Sequence, residues 1–451
     1  MVRDVVIVGG GLAGLACGVA LSDAGLRVTV VEREKRLGGR ARSWTDASSG
    51  DEIDLGPHVL HSEYRNMLAL LERLGTRDRV CWQPEKLITF SNGVVLRHRR
   101  LPPPLSLLPD LALKSGLSPR DLWSNNRPTW DAMRFNEADT PVLDSMTALD
   151  YLREAGVTPA MIDWFWAFAC LAVLNVPLER CSAAALLRVH SQLIGHRRLH
   201  FGFPAVALAE LFAPQAAKLI GRVVTGQEVV KVEPRAVVLQ DGSRIAADHV
   251  VSTVPPQVEP SPYVSSYLWF DRKLTRERFW AQLGAQTRLN TDFYDLSNIR
   301  RGWAERPSLI ASNIIYSHRA HAMSNEEIVA ATQREIAGFA PEAAHARVVH
   351  AVVNRIPMVI PCPRPGSESA RPAPSISLAG DWTRTGLPCS MESAVCSGFM
   401  AAEEVLQTRG IALPVRPADG LAGLVQKLRS RRAARGPGAR TLPRARPSPR
   451  P

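Results

Sequence analysis

The stretch from Asp4 to Glu32 constrains the fold more than any other. Val5, Val6, Ile7 and Val8, all β-branched, predict a short buried strand, and Gly9, Gly11 and Gly14 follow in G-x-G-x-x-G spacing. Gly9 permits a tight turn, Gly11 lets backbone approach a pyrophosphate, and Gly14 lets the next helix pack close on the strand. Leu12, Leu15, Ala16, Val19, Ala20 and Leu21 recur at helical spacing up to Gly25, and Leu26 to Val31 reads as a second strand. Glu32 ends that strand about 20 residues beyond the loop, where an acceptor for a ribose hydroxyl belongs and where a 2′-phosphate would be repelled. The helix start offers free N–H groups to an anion. Strand, loop, helix, strand and acid in that order predict dinucleotide binding.

At 451 residues the chain exceeds the size at which one core stops growing, so two joined domains are expected. A composition 45% hydrophobic and 22% charged is that of a soluble globular protein. The longest apolar run, Trp164 to Leu174, is too short to span a bilayer. The chain opens directly on the nucleotide strand, leaving no room for a secretory signal, and a cytoplasmic location is the expectation. Seven scattered cysteines without a C-x-x-C pair suggest neither a metal site nor a disulfide framework. The formal charge of +12 resides mostly in a tail: nine basic residues and no acid lie between Leu421 and Pro451, which leaves +3 for the remainder. Nucleic-acid binding is not expected, because the tail lacks interleaved aromatics and no recognised module accompanies it.

After Glu32 the chain continues Arg33-Glu-Lys-Arg-Leu-Gly38-Gly39-Arg40. This E-x5-G-G-R run resembles the signature of FAD-containing amine oxidases and carotenoid desaturases, which implies FAD. Gly38 and Gly39 let the chain turn back over a pyrophosphate, to which Arg40 can donate. Far downstream, Leu378-Ala-Gly-Asp381-Trp-Thr-Arg-Thr-Gly-Leu-Pro-Cys389-Ser-Met391-Glu-Ser-Ala-Val-Cys-Ser-Gly398 resembles the C-terminal flavin motif of plant-type phytoene and ζ-carotene desaturases. Through Asp381 to Pro388 it resembles bacterial hydroxysqualene dehydroxylases more closely. Gly56-Pro-His58-Val59, Leu174-Asn-Val-Pro177 and Trp269-Phe-Asp-Arg support the likeness, which covers residues 4 to 408.

Carried over residue by residue, the resemblance places Ala13, Glu32, Arg33, Arg40, His58, Val59, Tyr64, Asp381 and Met391 around FAD. Gly9, Gly11, Gly14, Gly39 and Gly380 supply backbone there, while Arg188 and Cys389 face the substrate. Asp381 at a strand–turn–helix junction suits ribitol hydroxyls, and a helix starting near Met391 points its positive end at the flavin N1 and O2 region. The plainer readings are that Asp381 is an N-cap and Met391 core filling.

The expected fold class is α/β: a Rossmann-like FAD-binding domain of the GR2 type interleaved with an α+β substrate domain. FAD-binding pieces are expected at 1–78, 216–256 and 371–410, substrate-domain pieces at 79–215 (a helical layer) and 257–370, and a disordered basic tail at 411–451. Arg222 to Val232 is expected to form a hairpin with Ala236 to Leu239. Two departures from the family pattern stand out. Ser393 replaces a glycine and threatens to crowd the flavin, and the strand beginning near Ser261 follows Val254-Pro-Pro almost at once. A parallel crossover needs a dozen or more residues, so these two strands lie in different sheets or the domain is impaired.

The function expected is hydride transfer between flavin N5 and a lipophilic polyisoprenoid. Dehydroxylation of hydroxysqualene to squalene is favoured over desaturation of phytoene or ζ-carotene. Behind these stand an amine oxidase and a flavin-binding protein without catalysis. Trp164 to Leu174 is either a buried helix or the lining of an apolar substrate tunnel, with Phe168 a lining residue in the second case. His58 is a weak candidate for protonating a leaving hydroxyl, against a role in packing. The basic tail is either a solvated extension or an anchor to the anionic inner face of the membrane.

Overall fold

The computed structural model describes residues 2–433 except 85, 98, 100, 103, 104, 194, 197, 198, 256–258, 285–287, 368–375 and 418. Five parallel strands form its first sheet, in the order Arg222–Thr225, Arg27–Glu32, Asp4–Val8, His249–Ser252, Ser377–Leu378. Asp4–Val8 sits at the centre, and both of its faces are covered, which is why its apolar run is unbroken. Val5 and Ile7 pack with the Leu12–Asp23 and Met391–Leu406 helices. Val6 and Val8 pack instead on a three-stranded antiparallel sheet built from Val229–Glu233, Ala236–Leu239 and Arg244–Ala246. The expected single hairpin from Arg222 is therefore corrected. Arg222–Thr225 pairs in parallel with Thr29 to Glu32, and only the residues after Gly226 turn into the antiparallel sheet.

A second five-stranded sheet is antiparallel, in the order Phe279–Ala281, Asp292–Asp295, Leu309–Ile315, Pro260–Phe270, Val348–Pro361. Its outer face carries Leu268, Trp280, Phe293 and Ile310 against Ile336 of the Asn325–Ala337 helix. Trp280 stacks on Phe293 at 5.1 Å and on Phe339 at 4.5 Å, contacts worth about 0.5–1.5 kcal/mol each beyond area burial. The inner face looks toward residues 51–59 and the helical layer. His249–Ser252 and Pro260–Phe270 thus belong to different sheets. The short connection between them needs no crossover helix, because the chain is leaving one layer for another.

Within the helical layer, Trp166, Cys170 and Leu174 point into a core shared with Leu152, Met161 and Leu186. A π-helical turn at Ile162–Trp166 precedes the Ala167–Leu174 helix, and Asn175 ends that helix in the left-handed region at φ 57°. No helix among the described residues is long and apolar enough to cross a membrane.

The expectation of disorder from 411 onward is corrected as far as 433. Glu403 accepts the backbone N–H groups of Gly410, Ile411 and Ala412, and the Asn66 side chain accepts from Leu413 N. Gly420–Ala433 forms a helix packed against Asn126–Arg134, with Arg429 paired to Asp139 at 2.7 Å. High charge argued for a solvated chain, but charge partners on the body hold this part in place. The rest of the basic tail, 434–451, lies outside the described residues.

Candidate active site

The glycines of the first loop are glycines for different reasons. At Gly9, with φ +107°, a Cβ would stand 2.1 Å from Thr253 Oγ1, and at Gly14 one would stand 2.1 Å from the Gly9 carbonyl oxygen. Packing within the protein excludes side chains at both. At Gly11 the nearest atom to a Cβ would be Gly39 Cα at 3.8 Å, an ordinary contact. Nothing in the protein's own packing requires a bare Cα there, and Gly11 is also the N-cap of Leu12–Asp23, with no side chain capping that helix. An uncapped helix start beside bare backbone is a cradle for a phosphate group.

The second glycine loop closes on the first. Gly38 N donates to Gly10 O at 2.9 Å, and Gly11 and Gly38 form a parallel bridge. Glu32, 7% exposed, accepts from Gly10 N at 2.6 Å and from Glu34 N at 2.9 Å, one bond to each carboxylate oxygen. A carboxylate offers about four lone-pair sites, so acceptor capacity remains for ribose hydroxyls. Arg33, beside it, is exposed and lies 3.8 Å from Glu34. These features fit a dinucleotide.

Arg40 lies 341 residues before its partner Asp381 and meets it at 2.5 Å, so the two motifs form one site. The Asp381 carboxylate raises the Arg40 pKa against the opposing effect of burial. Gly380, at φ +150°, precedes Asp381; a Cβ on it would stand 2.2 Å from the Trp382 indole nitrogen, and its own N–H donates to Ser397 Oγ at 2.8 Å. Cys389 Sγ reaches the Asp381 carbonyl oxygen at 3.3 Å, which puts this thiol beside the Arg40–Asp381 pair. Met391 is buried and starts Met391–Leu406, whose Ser390 N-cap accepts from Ser393 N at 3.2 Å. Ser393 is fully buried, and its hydroxyl bonds Thr385 Oγ1 at 2.7 Å. A second contact, from Ser393 Oγ to the Asp381 carbonyl oxygen at 3.3 Å, ties this serine to the Asp381–Met391 turn.

Helix Met391–Leu406 reaches Leu12–Asp23 through Gly398, where a Cβ would meet the carbonyl oxygen of buried Ala13 at 2.3 Å. Residues that sequence reasoning passed over complete the frame. Glu392, 4% exposed, accepts Asn66 N, Asn66 Nδ2 and Met67 N at 2.8–2.9 Å and so pins the Arg65–Arg73 helix. Asp54 pairs with Arg300 at 2.7 Å beneath the Leu55–Val59 loop. A glutamate inside an apolar helix start was the available signal for the first; nothing in the sequence signalled the second.

In that loop His58 Nδ1 bonds Gly56 O at 2.7 Å, and burial holds its pKa below the ordinary imidazole value. Val59 packs against the buried cluster that includes Tyr267 and Tyr294. Tyr64 stacks on His61 at 5.1 Å, its phenol pKa raised by burial and by Glu392. Arg188 lies elsewhere. It forms a bidentate pair with Glu137 at 2.8 Å and lines a cavity of about 280 Å³ with Gln192, His196 and Arg416. The 382–388 turn approaches there, since Gln192 Nε2 bonds Gly386 O at 2.6 Å. Among the described residues no His, Cys, Asp and Glu cluster could hold a metal.

A parallel nucleotide-type sheet joined to an antiparallel sheet, with glycine loops and an Arg–Asp pair converging from both ends of the chain, is the arrangement of a dinucleotide-dependent oxidoreductase. The chain belongs to the flavin containing amine oxidoreductase family, whose family model matches residues 12–406. It is 25% identical over 465 residues to a 15-cis-phytoene desaturase of Solanum lycopersicum, covering 90% of this chain and 78% of that one. It is 27% identical over 490 residues to a carotenoid phi-ring synthase of Streptomyces griseus, covering 94% and 92%. A putrescine oxidase double mutant shares the fold at a TM-score of 0.70 and 18% identity, over 90% of this chain and 99% of the other. The protein is a flavin-dependent oxidoreductase of the carotenoid and phytoene desaturase type, and FAD is its cofactor.

Proposed function

We propose that the protein moves a hydride between FAD and a long polyisoprenoid lying between the Trp164–Leu174 segment and the inner face of the antiparallel sheet. One observation carries this reading: the segment has two differently employed faces. Trp166, Cys170 and Leu174 fill the helical core, while Trp164 and Phe168 pack against the cluster that holds Tyr267 and Tyr294, and Leu171 joins the cluster of Leu55 and Tyr263. Core helix and tunnel lining thus apply to opposite sides of one element. A hydrocarbon offers nothing to hydrogen-bond, so its recognition rests on burial at roughly 25 cal/mol per Å².

Gly11 and the Leu12 helix start bind the pyrophosphate in this reading, Glu32 the ribose, and Asp381 with the Met391 helix start the flavin end. When bound, FAD supplies a two-electron acceptor or donor of hydride. The aromatic wall excludes water from the reacting carbons. His58, neutral because of burial and bonded to Gly56 O, serves packing better than proton donation. Arg188, committed to Glu137, serves the outer end of the site.

Desaturation of a phytoene-like polyene is the first reading, supported by the relatives. Reductive dehydroxylation of a hydroxysqualene-like alcohol is the second, favoured by the Asp381–Pro388 run and by a buried carboxyl, Asp292, on the same wall. The motive for a non-catalytic reading is gone, since the short connection after Pro255 joins two sheets. Flavin-loaded protein incubated with phytoene under oxidising conditions and with hydroxysqualene under reducing conditions, followed by mass spectrometry, tests the choice. Loss of two hydrogens from phytoene supports the first reading and loss of the hydroxyl supports the second. No conversion of either overturns the proposal.

The partner we propose for substrate delivery is an anionic lipid surface. Gly420–Ala433 exposes Leu421, Leu424 and Leu428, the Asn126–Arg134 helix it packs on exposes Trp130, and the tail sequence beyond is basic. Apolar side chains flanked by cations suit an interface at about 1 kcal/mol per engaged Lys or Arg.

A further inference from the structure

A hydride moving to or from carbon leaves a proton to be accounted for, and the wall facing the apolar site carries one carboxyl suited to that task. Cross-strand register places Asp292 opposite Asn313, Asn313 opposite Ser265, and Ser265 opposite Asn354. This polar row crosses the antiparallel sheet and ends on the loop assigned to the flavin: Ser265 Oγ donates to Leu55 O at 2.6 Å and Asn354 Nδ2 donates to it at 3.2 Å. Tyr263, on the same face, donates its hydroxyl to Asn313 Oδ1 and lies against Gly56, where a Cβ would stand 2.8 Å from the phenol oxygen. One rung along, Tyr294 and Tyr267 both face Ala311 and join the apolar cluster of Val59 and Phe168. Asp292 therefore stands where the polar row meets the apolar seat.

Asp292 is 7% exposed, and its Oδ1 has no hydrogen-bond partner. A buried carboxyl oxygen left without a partner carries a desolvation cost that a purely apolar wall would avoid. We propose that the Asp292 carboxyl exchanges with the substrate the proton that accompanies hydride transfer, held in position by Asn313, Tyr263 and Tyr294. This inference rests on the polyisoprenoid reading above. Burial pushes the carboxyl up to about 7, against the hydrogen bonds from Asn313 and Tyr294 that pull it down. The titratable groups beside it on this wall include Tyr294, Tyr263 and Tyr267, all phenols raised by burial, while the Asp54–Arg300 ion pair bears on Tyr267. The elements packed across this sheet present Leu55, Gly56 and Leu171, and the same loop carries the titratable His58, whose pKa burial lowers. A carboxyl poised near neutrality can act as base or as acid.

In desaturation, a substrate carbon gives up hydride to the flavin and the neighbouring C–H bond breaks. Its electron pair forms the new double bond, and its proton goes to the Asp292 carboxylate and then to water. In dehydroxylation, the protonated carboxyl gives its proton to the hydroxyl, the C–O bond breaks with water leaving, and the carbon takes hydride from reduced flavin. In a single turnover the flavin itself is the oxidant or the reductant.

The test uses full-length flavin-loaded protein and the variants Asp292→Asn, Asp292→Glu and Tyr263→Phe. Flavin content is read from the visible spectrum, the carboxyl from an infrared pH titration without substrate, and the single-turnover rate as a function of pH. Asp292→Asn is expected to keep its flavin and to lose a carbonyl band titrating near pH 7. Its rate falls about one hundred- to ten-thousand-fold and it loses one limb of the pH profile, part of which Asp292→Glu restores. Tyr263→Phe, which introduces no polar orphan at Asp292, shifts the band and that limb together; an unmoved limb overturns the proposal even where Asp292→Asn does not fold. An active wild type beside an Asp292→Asn variant with unchanged rate and pH profile overturns the proposal alone. Wild-type protein inactive on both substrates overturns the functional reading as well.

Discussion

Gly398→Ala tests whether the two flavin-end motifs are positioned by a single helix–helix contact. A Cβ at Gly398 would stand 2.3 Å from the Ala13 carbonyl oxygen, 3.0 Å from Cys17 N and 3.1 Å from Ala16 Cβ. Real Cβ contacts essentially never fall below 3.0 Å, so the helices Leu12–Asp23 and Met391–Leu406 must separate by at least 0.7 Å along that direction. The obstructing atoms are mainly backbone and cannot rotate away. Alanine gains about 0.8–1 kcal/mol of helix propensity over glycine, and overpacking costs about 1–3 kcal/mol, so strain wins and a net loss of up to about 2 kcal/mol is expected. The larger effect falls on the cofactor, because the shift moves Met391 away from the glycine loop. A loss of about 1.4 kcal/mol in FAD binding is a tenfold weaker Kd. Gly18→Ala on the first helix is the control. Its Cβ would meet Ile220 Cδ1 at 2.7 Å, the flexible end of a side chain. Denaturant midpoints of the apoproteins and FAD titrations of both variants decide the matter. A Gly398→Ala protein with wild-type midpoint and wild-type FAD affinity would refute the reasoning.

Gly11→Ala should leave apoprotein stability within about 0.5 kcal/mol, since its Cβ would meet nothing nearer than Gly39 Cα at 3.8 Å, yet weaken FAD binding; parallel loss of folding would show that Gly11 is structural. Phe168→Asp should stop turnover of prenyl substrates with flavin retained, because Phe168 is only partly buried and packs on Phe90 at 5.3 Å; flavin loss with unfolding would return this face to the core. The native Asp292 carboxyl at about 7, against an ordinary 3.8, contributes stability that is complete below about pH 4 and is lost as pH rises through 7. That contribution is at most about 4 kcal/mol, so apoprotein melts from pH 4 to 8 should fall less steeply in Asp292→Asn, and identical profiles would contradict the assignment. Truncation after Ala433 should preserve flavin content and the Arg429–Asp139 pair but weaken sedimentation with anionic liposomes at low salt; equal binding by both forms would exclude the tail as anchor.

The amino-acid sequence by itself determined the elements whose signals are local. Val5 to Val8 form a strand buried on both faces. Gly9, Gly11 and Gly14 turn it into a helix, and Met391–Leu406 begins behind a serine cap and ends where apolar periodicity ends. Backbone sterics, capping and 3.6-residue periodicity act within a few residues, so they can be read without partners. The tertiary structure alone decided what depends on partners. Asn290-Thr-Asp292-Phe-Tyr-Asp295 carries the polar residues of a turn, yet Asp292–Asp295 is an inner strand because Leu309–Ile315 and Phe279–Ala281 supply its ladder. Arg222–Thr225 leaves its sequence neighbours for a strand almost two hundred residues earlier, and the helix from Gly420 is held by Asp139. The flavin end behaves likewise: Arg40 and Asp381, or Glu392 and Asn66, are more than three hundred residues apart and meet only through the tertiary fold. Such pairings satisfy buried charge and backbone polarity through space, and nothing local in the sequence encodes the identity of the distant partner.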